Sequence, residues 1–143
     1  MTKTLVASTL NTFQTMLMIE LTPITSEPYP VIECEFAGMI GFSGDFSGNI
    51  AICMSRNTAK EAAASFVGEQ VVEDSELSDC VGELVNMIAG NAKSSLDNKN
   101  IFLSIPEVVV GREVKIDFCR YKLRQDLYFD SPAGPVQLIF TER

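Results

Sequence analysis

The stretch Glu76-Leu-Ser-Asp-Cys-Val-Gly-Glu-Leu-Val-Asn-Met-Ile-Ala-Gly-Asn-Ala-Lys-Ser-Ser-Leu96 decides how this chain is read. Projected at about 100° per residue, it separates into two faces. Leu77, Val81, Leu84, Ile88, Ala92 and Ser95 fall on one side, with Val85 and Leu96 at its margin. Asp79, Glu83, Asn86, Gly90, Lys93 and Asp97 fall in a narrow stripe on the other. The apolar side has to pack on a sheet, because leaving it wet would forgo about 1.5–3 kcal/mol for each large residue. The pattern predicts a helix from near Glu76, with Ser75 and Ser78 as caps, running to the polar stop Asp97–Asn100.

A polar stripe is ordinarily a solvated helix face. Two features set this one apart. Asp79 and Glu83 form a like-charged i,i+4 pair, which mildly destabilises a helix. Gly90 costs about 1 kcal/mol relative to alanine in a helix interior. Helix stability alone would select against both, whereas a docking face has a use for them. Gly90 removes a side chain between Asn86 and Lys93 and lets a partner approach the backbone. Asn86 is neither nucleophile nor base, but its amide can hold a water with one donated and one accepted hydrogen bond. Glu83 can accept a lysine charge or water protons. Phosphoryl transfer is chemistry that positioning and electrostatics can accelerate without a strong base.

Outward from that helix, the rest of the chain reads as α+β. Residues 3–21 predict a helix, with Val6, Leu10, Phe13 and Leu17 at helical spacing, and Thr22–Pro30 a proline-punctuated loop. Val31–Ser43 alternates as a strand, the turn formers of Ser43–Asn49 follow, and Ile50–Met54 completes a β-hairpin. Those glycines do not form a phosphate cradle, because they lack a G-K-[ST] or G-x-G-x-x-G pattern and lead into a strand. A short helix over 58–67, capped by Ser55 or Asn57 and closed by Gly68, leads into an acidic linker. Beyond the long helix, Ile101–Val110 is broken at Pro106, and Gly111-Arg112 is a turn. Strands are expected over Val114–Tyr121, Leu123–Phe129 and, after the turn Ser131–Gly134, Val136–Phe140. The expected architecture is an antiparallel sheet covered by helices in one domain over residues 1–143.

Composition narrows the function classes. The chain carries 19 acidic and 11 basic residues, a net charge of −8. That charge repels nucleic-acid backbones and anionic membranes. With no histidine, a Cys-His nucleophile is excluded. The four cysteines (Cys34, Cys53, Cys80, Cys119) lack C-x-x-C spacing and sit among apolar neighbours, so free buried thiols are expected. No apolar run approaches the roughly 18–20 residues that span a bilayer, and the N-terminus lacks a signal-peptide core. A cytoplasmic protein acting on another protein or a small molecule is expected.

The run Glu83–Leu96, preceded by Asp79, resembles the helix motif of the CheX/CheC/FliY chemotaxis phosphatases. That pattern is Asp or Ser, three residues, Glu, two residues, Asn, and Asp79, Glu83 and Asn86 match it. Ser8–Met16 leading into Glu20–Pro23 and Leu103–Gly111 look similar as well. The resemblance implies a CheC-like fold and removal of phosphate from the aspartyl-phosphate of a CheY-type response regulator. Asn86 would orient the attacking water and Glu83 would bind the regulator's active-site lysine, with Asp79 and Gly90 in the docking face. The Mg²⁺ would belong to the phosphorylated regulator and this chain would bind no cofactor. In the first helix a comparable frame reads Ser8, Thr12, Thr15, without Glu or Asn, which implies one site per chain. By the same resemblance the chain would be a homodimer carrying two sites. The rival readings are a non-catalytic module docking on a regulator or flagellar-switch protein, and a sensor in which the hairpin and proline-rich loop enclose a ligand.

Overall fold

The structure, a computed structural model, describes all of residues 1–143. The elements are α1 (Thr2–Thr12), β1 (Thr22–Ile24), β2 (Phe36–Gly44), β3 (Gly48–Met54), α2 (Arg56–Val67), α3 (Asp74–Ser95), β4 (Ile101–Leu103), β5 (Glu107–Val110), β6 (Leu123–Asp130) and β7 (Val136–Glu142). The seven strands form one antiparallel sheet in the order β1-β6-β7-β3-β2, with β4 and β5 pairing in succession along the free side of β2. This is the expected α+β arrangement. Alternation along the strands puts Phe36, Ile40 and Phe42 of β2, Ile50, Ile52 and Met54 of β3, and Leu138 and Phe140 of β7 into the main core. Helix α3 lies on that face against β2, β3 and β5, flanked by α1 and α2.

The break at Pro106 is real and local. Between β4 and β5, Ser104 keeps the chain joined to β2: its hydroxyl accepts from Gly41 N at 2.9 Å, and its own N–H donates to Gly41 O at 2.9 Å. The Ser55 side chain accepts from Thr58 N and caps α2, and Gly68 closes that helix at φ 89°, a conformation that glycine adopts without strain.

Four expectations need correcting. Val114–Tyr121 is not a strand. Its alternation arises because Val114, Ile116 and Phe118 pack over the far face of the sheet, on Cys34, Ala37, Ala51, Cys53 and Ile139. A chain lying across a sheet face shows the same period of two as one hydrogen-bonded into it. The strand expected from Val31 begins only at Phe36, because residues 34–35 make scattered hydrogen bonds to Met54, Gly111 and Val114 instead of a ladder. Within Thr22–Pro30, Thr22–Ile24 pairs with β6, and Pro23 is tolerated there because β1 is an edge strand. Cys119 is exposed, although Cys34, Cys53 and Cys80 are buried and all four are free.

The first helix also departs from its expected course. After Thr12 it widens into a π-helical turn, Phe13–Leu17, and stops at Met18 in a left-handed conformation. Its most deeply buried side is not the Val6–Leu10 line but Leu5, Ser8, Thr9 and Thr12. Hydroxyls can lie there because each has a partner. Ser8 Oγ donates to Ile88 O at 2.6 Å, Thr9 Oγ1 to Leu5 O at 2.7 Å, and Asn91 Nδ2 donates to Thr12 Oγ1 at 3.0 Å.

Candidate functional site

Helix α3 starts two residues earlier than the serines suggest. Glu73 occupies the N-cap position without a side-chain bond, and Asp74 and Glu76 supply negative charge to the first turn. Arg56, at the start of α2, fixes this end: it pairs with Asp74 and also with Glu35, and its backbone N–H donates to Glu35 Oε1 at 3.0 Å. The guanidinium beside Asp74 holds that carboxyl below the usual carboxylate range, chiefly by hydrogen bonding. One arginine therefore ties the first turns of two helices to the residue before β2.

The apolar face is buried as expected: Leu77, Val81, Leu84, Val85, Ile88 and Ala92 are each at most 3% exposed. Ser95 is the exception, exposed in the last turn, with its hydroxyl bonded back to Asn91 O. The helix sits very close to the sheet at Gly38, where a methyl group would stand 3.1 Å from Val81 O and 3.0 Å from Val81 Cγ1. Such packing leaves α3 little freedom to roll, so its outer stripe has a fixed direction.

On that stripe the structure brings together Asp79, Glu83, Asn86 and Gly90 along one side of a continuous helix. Asp79 and Glu83 are exposed, and Asn86 and Gly90 are half-buried. The chain's ion pairs join Arg56 to Glu35 and Asp74, and Arg124 to Asp126, which leaves Glu83 without an internal cation. Asn91, one turn beyond, is spent on Thr12, whereas Asn86 has no such engagement. At Gly90 a methyl group would meet nothing within 4 Å, so packing inside the chain does not require glycine there. Lys93 is exposed in the last turn, and Asp97 lies beyond the helix end.

One part of this surface is not visible in the helix projection. Phe66 and Val67, from the last turn of α2, stand beside the first half of α3 and with Glu76, Asp79, Cys80 and Glu83 line an open groove of about 450 Å³. Both apolar side chains remain substantially exposed. The Cys80 thiol is pushed up to about 11, first by burial and then by the Glu83 charge, so at neutral pH it is an uncharged part of the groove wall. The one hint in the sequence is an apolar pair, Phe66-Val67, placed just before the helix-closing Gly68 and an acidic linker.

The α+β fold of a helix held on an antiparallel sheet is shared by chemotaxis proteins that the structure matches. A CheX from Vibrio vulnificus superposes with a TM-score of 0.89 at 26% identity, over 99% of this chain and 95% of that one. A CheX from Desulfovibrio desulfuricans gives 0.88 at 22%, over 99% and 97%. The CheX–CheY–BeF3–Mg²⁺ complex from Borrelia burgdorferi gives 0.79 at 21%, over 99% and 97%. The fold is thus that of the CheC-like chemotaxis proteins. The family model described as chemotaxis phosphatase CheX matches residues 36–129, and the chain belongs to that family. No curated protein sequence matches it. No helix is long and apolar enough to cross a membrane.

Proposed function

We propose that the protein removes the phosphoryl group from the aspartyl-phosphate of a CheY-type receiver domain, with the outer stripe of α3 as the catalytic element. The observation that carries this reading is the pairing of Glu83 and Asn86, three residues apart on a rigid helix and both accessible, with Glu83 free of any internal cation. In this mechanism the helix enters the receiver's active site. The Asn86 amide accepts from and donates to its surroundings so as to aim a water at phosphorus, in line with the leaving carboxylate. Glu83 receives the receiver's active-site lysine and helps align the water, while Asp79 and Gly90 border the docked surface. The Mg²⁺ of the reaction is held by the phosphorylated receiver, and this chain supplies no cofactor. The CheX of the Borrelia complex, crystallised with CheY, BeF3 and Mg²⁺, supports the partner class.

The energies are compatible with that division. A hundredfold acceleration corresponds to about 2.7 kcal/mol, within reach of one positioned hydrogen-bonding group. A carboxylate–ammonium contact near a surface has a Coulomb term of about 4 kcal/mol at an effective dielectric of 20, much of which desolvation and side-chain ordering take back. Glu83 should therefore govern docking as much as rate. The deciding experiment measures phosphate release from a phosphorylated receiver. Asn86→Ala is expected to bind normally and to lose about a hundredfold in rate, whereas Glu83→Ala weakens both binding and rate. Unchanged hydrolysis in Asn86→Ala would exclude the mechanism, and binding without any wild-type hydrolysis would leave only a docking module.

The same reading takes the protein as a homodimer with one site per chain. Exposed Phe102, Ile105, Val109 and Val110, around the β4–β5 edge, offer apolar surface for such an association. Sedimentation at micromolar concentration is expected to give two chains per particle, and a monomer would remove that part of the proposal.

A further inference from the structure

The groove between α2 and α3 adjoins the proposed catalytic stripe and shares Asp79 and Glu83 with it. Its floor is apolar, formed by Phe66 and Val67, which are 38% and 52% exposed, with the uncharged Cys80 thiol. Its rim carries Glu76, Asp79 and Glu83 and no basic residue. Glu76 and Asp79 are i,i+3 neighbours, and Asp79 and Glu83 are i,i+4 neighbours, so each pair repels. Arg56, at the start of α2, is committed to Asp74 and Glu35. The three carboxylates do not converge closely enough to hold a metal ion. An apolar channel beneath separated carboxylates is the complement of a long basic side chain, whose methylene stem lies on apolar surface while its charged head reaches the rim. A head passing over Phe66 would gain a cation–π contact as well.

We infer that this groove is a second docking site for the phosphorylated receiver, seating one exposed lysine or arginine from outside the receiver's active site. The inference rests on the phosphatase reading above. Glu83 belongs to both places, engaging the active-site lysine on one side and closing the groove on the other. Glu76, Asp79 and Phe66 then set how well a given receiver binds, while Asn86 sets how fast it is hydrolysed. The groove is thereby a specificity determinant: it selects, among receivers that share the same active site, those with a basic side chain at the matching surface position.

The test uses CheY-type receivers of the same organism in the beryllofluoride–Mg²⁺ form for binding, and in the phosphorylated form for turnover. In E76Q/D79N, the dissociation constant is expected to rise about tenfold, the scale of two exposed ion pairs, and its dependence on salt to flatten. In Glu76→Gln alone, whose residue lies outside the stripe that borders the docked active site, the rate at saturating protein should stay within about twofold of wild type. Phe66→Ala should weaken binding about threefold to tenfold with the salt dependence retained, because it removes the floor and no charge. Its helix content and melting temperature provide the folding control. Binding by E76Q/D79N within about twofold of a wild type that does bind would overturn the groove alone. Failure of the wild type to bind or dephosphorylate any receiver would overturn the groove and the phosphatase reading together.

Discussion

Helices α1 and α3 lie in contact on the same face of the sheet, and each carries polar residues at regular helical spacing. They turn those residues in opposite directions. The frame that reads Asp79, Glu83, Asn86 in α3 reads Ser8 and Thr12 in α1 and Thr15 in the π-helical turn that continues it. In α3 it faces solvent. In α1, Ser8 and Thr12 are buried against α3, where Ser8 bonds to Ile88 O and Thr12 receives Asn91. The hydroxyls of Ser8 and Thr12 are used up in packing, whereas Glu83 has no cation within the chain to pair with. The two helices teach that polar spacing does not define a site. The partner of each polar atom does.

The strongest way to break this comparison is to write the motif of α3 into α1. Thr12 is fully buried, so T12E places a carboxylate where no cation waits, at an expected loss of about 3–5 kcal/mol. T15N, at an exposed position, should be nearly neutral. Urea denaturation of T12E/T15N is expected to show a large loss, nearly all of it already present in T12E. The double variant built on Asn86→Ala should recover no phosphatase activity. Wild-type stability with restored hydrolysis would mean that α1 is a dormant copy of the site and not a structural helix.

How much of this was legible in the sequence depended on whether the signal was local. The Ser55 cap, the Gly68 stop, the hairpin around Asp45 and the break at Pro106 are all written within a few residues, and each stands where the sequence places it. The two faces of α3 were legible for the same reason, since projection needs only spacing. The segment Val114–Phe118 was not, because its alternation reports which face it covers and says nothing about whether a ladder partner exists. Nor was the burial of Ser8 and Thr12, which depends on Ile88 O and Asn91, some 80 residues away. The groove depends on Phe66 and Val67 meeting the flank of α3, a juxtaposition set by the linker between the helices and by the Arg56–Asp74 pair. Local chemistry singled out the helix of the proposed site, and tertiary placement supplied its surroundings.

Gly90 sharpens the comparison at a smaller scale. Helix α1 contains no glycine, whereas α3 carries two: at buried Gly82 an added methyl group would stand 3.3 Å from Val108 Cγ2, but at half-buried Gly90 it would meet nothing within 4 Å. Gly90→Ala should therefore raise stability by about 1 kcal/mol through helix propensity, or about 2–4 °C in melting temperature for a chain of this size. If α3 were only a structural helix, that gain would come at no loss of function. As a docking face it should bind the receiver about threefold to tenfold more weakly, because the new methyl group occupies space that the partner's surface approaches. Measuring both quantities on one variant separates the cases. A more stable protein with weakened binding places Gly90 in the interface. A more stable protein with unchanged binding returns Gly90 to the solvated surface, and confines the docked stripe to the turns from Asp79 to Asn86.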